Sequence, residues 1–565
     1  MTDLLEERDV GTFEISPGAD LAPGSNVKGA VGAANWCFLL PSLELGRIVC
    51  LGSPSPAALT TLARLGDEVA VSASGRGLKR LRDALGRLPA SVLLLESERS
   101  GAVPLPDGSA DLVVLARPRG LGLTLGGRLE REAARLLAPD GLLYRETRFF
   151  RPAGAAARLW LAPATGEMRA ATPLGDRQAI AFLEASFGNR ALFQRQLLRR
   201  PGRLLGRHRV VSRAVRREGA LVGRSRERLA AGPPRYLRSV AAEGGLDVND
   251  SRWALLARGD YPSQKVLFFL FPPAGARPHA LVKITREPRF NPRLENEWRA
   301  LTLLHERGLG TDGTLPRPLF FGVHGGLGVL GESAIEGERF RRRTLGTADC
   351  PQARAAVEWL LDLGAATASR AGPDARIVAG LRPLLEQFEE IYRPAGHEGD
   401  FLRAQVSKLA RGLGGLPLVF QHGDPGPWNV LVTREGRPAF LDWEAAEPEG
   451  MPLWDLFHFL RSYSFMVSRA AGTRDALASF SEQWLAESPF NRLLVETTRR
   501  FCTQTGLAAG LVEPLFYLCW MHRARKEAAT LPPSRLQNGR YVNILRLAVE
   551  RRGSPGLRRL FSAGE

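Results

Sequence analysis

Between Leu416 and Leu456 three short apolar runs are each flanked by a polar side chain of catalytic type, and this spacing constrains the fold more than any other stretch. The run Leu418 to Phe420 leads into His422-Gly423-Asp424. Asn429 follows and opens a second run, Val430 to Val432. Arg434-Glu435-Gly436-Arg437 has the chemistry of a tight turn, after which Ala439 to Leu441 deliver Asp442. Two carboxylates and an amide thus stand at the ends of short strands and share no helix face. A hairpin accounts for each residue singly but not for the set.

The set suits phosphoryl transfer, in which a protein mainly positions groups and neutralises charge. One carboxylate orients the acceptor hydroxyl and takes its proton, the role Asp424 fits. An amide oxygen and a second carboxylate are hard ligands for Mg²⁺, the role of Asn429 and Asp442. Gly423 lets the loop turn sharply, and His422 braces the loop rather than carrying protons.

His422-Gly423-Asp424, Asn429 five residues on, and Asp442 ahead of Trp443-Glu444 resemble the catalytic and metal-binding segment of the aminoglycoside phosphotransferase and choline kinase family, a branch of the protein-kinase-like fold. The resemblance implies ATP and Mg²⁺ as cofactors and an alcohol as acceptor. Asp455, in Pro452-Leu453-Trp454-Asp455-Leu456, matches a further acidic position of that family and is expected to be structural.

With 565 residues the chain exceeds a single core, so two or three domains are expected. Its 44% hydrophobic and 24% charged residues are those of a globular chain. MTDLLEERDV is acidic and lacks an apolar core, and no apolar run spans a bilayer, so a cytoplasmic protein is expected, peripheral at most to the inner membrane face. Cys37, Cys50, Cys350, Cys502 and Cys519 have neither paired nor metal-type spacing, which fits a reducing compartment.

The formal charge of +18 is concentrated. Between Arg195 and Arg228 stand twelve Arg against Glu218 and Glu227. This stripe offers a surface to an anionic membrane or an acidic partner, or is a solvated linker helix. Its near lack of aromatics argues against single-stranded nucleic acid, and no specific nucleic acid is expected.

Before the stripe, strands and helices alternate. Arg47 to Leu51, Glu68 to Val71, Ser91 to Leu95, Ala110 to Leu115 and Leu142 to Arg145 are expected strands. Ala57 to Leu65, Leu78 to Leu85 and Leu129 to Leu137 are expected helices, and Pro139-Asp140-Gly141 an expected turn. The alternation predicts an α/β domain with a parallel sheet and helices on both faces. Through Leu105 to Leu115 and Glu130 to Tyr144 this half resembles class I methyltransferases that use S-adenosylmethionine. Where that family has an acidic residue and spaced glycines, this chain has Cys50, Gly52, Pro54 and Pro56. Ser72 stands where a carboxylate would hold the ribose. A degenerate methyltransferase-like, Rossmann-like shell is expected, without S-adenosylmethionine as a working cofactor.

After Gly232-Pro233-Pro234, Trp253 to Ala257, Lys265 to Phe271 and Ala280 to Ile284 predict a small antiparallel sheet. Lys283 lies in the last of these strands, in a chain where only six of 77 basic residues are Lys. It is expected to neutralise nucleotide phosphates, held by Glu297 on the helix that follows. A single-glycine turn, Arg258 to Pro262, would cover the nucleotide, and Glu332 to Ala334 would meet the adenine through the backbone. The remainder is mainly helical. The acidic group Glu386, Glu389, Glu390, Glu398 and Asp400 is either a site for a cationic acceptor or a solvated face.

The expected layout is a Rossmann-like domain over 1–175, a basic helical connector over 176–235, and an α+β kinase-like small lobe over 236–340 with a helical large lobe over 341–565. The expected function is ATP- and Mg²⁺-dependent phosphoryl transfer to a hydroxyl of a small molecule or glycan. Catalysis would fall to Asp424, nucleotide binding to Lys283 and Glu297, and metal binding to Asn429 and Asp442. The alternatives are a bifunctional methyltransferase and kinase acting on a surface polysaccharide, and a non-catalytic pseudokinase scaffold.

Overall fold

The computed structural model describes residues 31–97, 102–115, 123–147, 157–163, 166–186, 217–223, 232–259, 261–310, 312–340, 346–369 and 375–562. The chain divides into two compact units. One comprises Gly29–Asn291 and Leu319–Ala334, the other Pro292–Pro318 and Ile335–Glu565.

The first unit is organised on β1 (Arg47–Leu51), β2 (Glu68–Ala73), β3 (Val92–Glu96), β4 (Ala110–Leu115), β5 (Leu137–Thr147), β6 (Ala157–Ala162), β7 (Ala170–Pro173), β8 (Arg217–Gly223), β9 (Arg252–Leu256), β10 (Val266–Phe271), β11 (Ala280–Ile284), β12 (Pro318–His324) and β13 (Leu327–Ser333). Among the described residues these form one thirteen-stranded sheet in the order β12-β13-β11-β10-β9-β7-β6-β8-β5-β4-β1-β2-β3.

From β3 to β5 the strands are parallel. The apolar runs of β1, β2 and β4 are buried on both faces, as a doubly wound sheet requires, while the edge strand β3 is only half-buried. In β1, Ile48 and Cys50 pack with Leu59 and Leu62 of α1 (Pro56–Leu65), whereas Val49 and Leu51 pack with Ala133 and Leu136 of α3 (Leu123–Leu136). Between them in sequence, α2 (Gly75–Leu85) connects β2 to β3. The α/β domain expected for this half, a parallel sheet with helices on both faces, is what forms. Gly52, just after β1, has φ +104° and donates its N–H to Ser72 O at 2.8 Å. Ser55 caps α1, accepting from Ala58 N at 3.2 Å.

From β9 to β13 the pairings are antiparallel, as expected for the small sheet of a kinase-like fold. The two sheets are continuous because β7 pairs with β9, Ala170 facing Leu256 and Ala171 facing Leu255. The seam is pinned by Thr172 Oγ1 donating to Trp253 O at 2.8 Å and by Arg252 Nη1 at 2.8 Å from Asp176 Oδ1. Asp176 stands at the start of α4 (Arg177–Ser186). Asn35 Nδ2 also bridges Met168 O and Ala257 O, at 2.6 and 3.1 Å. The Gly232-Pro233-Pro234 break, followed by α5 (Arg235–Glu243), therefore lies inside this unit.

Within the expected helical connector the described part includes β8, a strand paired antiparallel with β5 and β6. Ala220 and Leu221 are buried there, so this short stretch pays its way as sheet rather than solvated helix. The rest of the Arg195 to Arg228 stripe, apart from 217–223, lies outside the described residues.

The second unit is mainly helical: α6 (Asn291–Glu306), α7 (Pro351–Thr367), α8 (Ala375–Tyr392), α9 (Gly396–Arg411), α10 (Trp454–Ala470), α11 (Ala476–Phe480), α12 (Pro489–Thr505), α13 (Val512–Ala528), α14 (Arg540–Glu550) and α15 (Pro555–Phe561). Short strands β14 (Glu338–Arg339), β15 (Val419–Gln421), β16 (Val430–Val432), β17 (Pro438–Phe440) and β18 (Glu447–Gly450) carry the polar loops. At the centre lies α13, where every residue from Pro514 to Arg525 is buried, so it is enclosed on all sides.

All five cysteines are free and buried. Burial pushes the Cys50 thiol up to about 12 and that of Cys502 up to about 11. No described helix is long and apolar enough to cross a membrane.

Candidate active site

The site in the second unit is built on the loop that leaves β15. Gly423 has φ +78°, and a Cβ there would stand 1.9 Å from Ala445 O, so both conformation and space demand glycine. Asp455, at the first turn of α10, accepts the loop's N–H groups, His422 N at 2.5 Å and Gly423 N at 3.0 Å. It is structural, as expected. His422 is fully buried and packs at a tilt against Trp443, with ring centroids 4.4 Å apart. Its Nδ1 accepts from Asp424 N at 3.3 Å, which leaves Nε2 to donate to Leu441 O at 3.0 Å. Burial lowers its pKa, against the pull of Asp455, Asp424 and Asp442. His422 is thus a neutral brace joining the loop to the residue before Asp442.

The structure brings Asp424 and Asn429 together. Asn429 Nδ2 donates to Asp424 O at 2.9 Å and to Oδ2 at 3.0 Å. With its amide nitrogen so engaged, Asn429 Oδ1 keeps the acceptor character that a hard cation needs. Asp442 follows β17 with φ +70° in the left-handed region, a costly conformation for a residue with a Cβ. Its two neighbours are fixed: Leu441 N donates to Asn429 O at 2.8 Å, and Trp443 N to Glu297 Oε1 at 2.9 Å. Glu297 is fully buried on α6, so one of its jobs is to hold the turn that presents Asp442. Asn296 supports the same turn, Nδ2 donating to Glu444 O at 3.1 Å and Ala446 O at 2.9 Å. The donor set of Asn429 and Asp442 fits a Mg²⁺ ion that completes its shell with phosphate and water oxygens.

In the first unit, Lys283 on β11 is buried and forms an ion pair of 2.9 Å with Glu332 on β13. Glu332 had been expected to act through its backbone alone. Gly259, in the turn between β9 and β10, has φ +122°, and Asp260 beside it lies outside the described residues.

Three further side chains contact the Asp424 carboxylate. Trp428 Nε1 donates to Oδ2 at 3.2 Å. On the other oxygen, Oδ1, converge His458 Nε2 of α10 at 3.1 Å and Arg523 Nη2 of α13 at 3.2 Å. Arg523 Nη2 also lies 2.6 Å from His458 Nε2, and Nη1 donates to Gly423 O at 2.9 Å. Lys526 donates to the same carbonyl. The signal for these was present: α13 is apolar until His522-Arg523-Ala524-Arg525-Lys526, and a basic run ending a buried helix needs a partner. By contrast the acidic group on α8 and α9 divides between surface ion pairs, exposed side chains and the buried Glu398. Arg403 binds Glu389 and Asp400, Glu398 stands 3.9 Å from Arg546, and Glu386 and Glu390 are exposed.

Residues 270–489 match the model of the phosphotransferase enzyme family. No curated protein matches the chain. Among solved structures, an aminoglycoside phosphotransferase from Streptomyces rimosus is similar at 17% identity, over 52% of this chain and 97% of that one, with a TM-score of 0.33. The choline kinase LicA from Streptococcus pneumoniae is similar at 16% identity, over 51% and 90%, with a TM-score of 0.29. A methyltransferase structure from Pseudomonas syringae is similar at 17% identity, over 33% and 90%, with a TM-score of 0.19. The braced His-Gly-Asp loop and the clamped Asp442 turn both lie within the segment 270–489 that matches the phosphotransferase enzyme family.

Proposed function

We propose that the kinase-like half transfers the γ-phosphoryl group of ATP to a hydroxyl of a small molecule or glycan, with Mg²⁺. The observation that carries this reading is the Asp424–Asn429 pair, held at 3.0 Å beside the clamped turn of Asp442. Asp424 orients the acceptor hydroxyl and takes its proton as the new P–O bond forms. Asn429 Oδ1 and Asp442 would hold the metal, which when bound neutralises charge on the transferring phosphate. Lys283, fixed by Glu332, is assigned to the nucleotide phosphates, and Glu297 to holding the Asp442 turn.

The test is nucleotide consumption over a panel of aminoglycosides, choline, sugars and nucleosides. Asp424→Ala should lower transfer by roughly 10²–10⁴-fold while ATP binding, followed by calorimetry, is kept. An Asp424→Ala variant as active as the wild type would eliminate the assignment.

A further inference from the structure

Among the described residues two lysines are buried, Lys283 and Lys526, and only the first has an ion pair. Lys526, in the last turn of α13, is 5% exposed. Its ammonium makes a single hydrogen bond among the described residues, to Gly423 O at a long 3.3 Å. An ammonium has three N–H donors, and burying them with one weak acceptor is costly. Burial, then repulsion by Arg523, lowers the Lys526 pKa to about 8, against a longer-range pull from Glu447, Asp424 and Asp455, none of which forms an ion pair with it. The negative end of the α13 dipole favours basic residues in its last turn, but supplies no partner for the remaining donors.

Lys526 does not stand alone. Gly423 O, its one acceptor, also receives Arg523 Nη1, and Arg523 Nη2 reaches Asp424 Oδ1. Arg461 and Arg523 both lie over the ring of Tyr541, 5.3 and 5.5 Å from its centroid. The two oxygens of Asp424 therefore face different chemistry. Oδ2 meets Asn429 and Trp428, the side assigned to the metal, whereas Oδ1 meets the cationic group.

We propose that the acceptor alcohol carries an anionic group, phosphate or carboxylate, close to the hydroxyl that is phosphorylated, and that Lys526 with Arg523 binds it on the Oδ1 side of Asp424. This deepens the phosphotransferase reading and rests on it. A cationic acceptor would meet Lys526 and Arg523 there, both buried, and of the acidic group of α8 and α9 Glu389 and Asp400 already bind Arg403.

The experiment is calorimetric titration of the full chain, with Mg²⁺ and ADP present, using glycerol 3-phosphate, galacturonate and galactosamine as probes. One or both anions should bind and the amine should not, the two anions telling phosphate from carboxylate. Lys526→Gln should weaken anion binding by at least about tenfold, the worth of one charged hydrogen bond, and Lys526→Arg should keep it. Galactosamine binding as well as the anions, silence toward both anions, or an unchanged dissociation constant in Lys526→Gln would each overturn the proposal. The wild-type comparison of anion with amine needs no variant to fold. ADP formation by wild type and Asp424→Ala is followed separately, so failure of phosphoryl transfer is told apart from failure of anion selection.

Discussion

Two histidines of the second unit, His422 and His522, are spent on structure. His422 uses both ring nitrogens, and His522 stacks on Trp454 with ring centroids 4.7 Å apart. Burial, reinforced by Lys526, Arg525 and Arg523, holds the His522 pKa well below its ordinary value. In the unfolded chain the same imidazole titrates near about 6.5. Below that pH the unfolded state binds a proton that the folded state refuses, so this contribution to stability is present above about 6.5 and is lost on acidification. Raised carboxyls such as Asp455 and Glu447 work in the opposite sense, so a difference between variants isolates the effect. His522→Phe should therefore narrow its stability gap to wild type, or overtake it, as pH falls from 7 to 5, by up to about 1.4 kcal/mol per pH unit. Urea unfolding at three pH values measures this, and parallel curves would exclude it. At this scale the sequence exposes what is local. Asp424, Asn429 and Asp442 are legible because loop spacing ties them to one another. His458 and Arg523 are not, because they reach Asp424 from 34 and 99 residues away through helix packing.

At the level of elements, apolar runs with β-branched residues locate the strands well: β1, β4 and β16 span the residues expected. Pro139-Asp140-Gly141 behaves differently. Its turn chemistry is spent within β5, where the register against β4 shifts between Ala110 and Leu112. A Cβ at Gly141 would stand 2.8 Å from Ala110 O, which explains why glycine sits at that irregularity. The pairing of β7 with β9 had no local signal, since two short strands far apart in sequence carry no mark of their partner. That seam is nevertheless testable. Thr172 is fully buried and donates to Trp253 O, so Thr172→Val, nearly equal in shape, should cost about 1–3 kcal/mol. A lowered denaturant midpoint checks this, and an unchanged midpoint would mean that the seam bond contributes nothing.

At the scale of the molecule, the alternation of strands with helices discloses an α/β half, and the spacing of His422-Gly423-Asp424, Asn429 and Asp442 discloses a kinase-like half by resemblance. They do not disclose that the small kinase-like sheet shares a compact unit with the methyltransferase-like one. Gly232-Pro233-Pro234 marks a bend in the backbone, and sequence alone cannot tell a bend between domains from one inside a domain. The burial of the thiols then has a practical use. Cys37 and Cys50 belong to one unit and Cys350, Cys502 and Cys519 to the other, all shielded from reagent. Alkylation under native conditions, resolved by peptide mass, should therefore act as a pair of independent clocks, each advancing only when its own half of the chain breathes open.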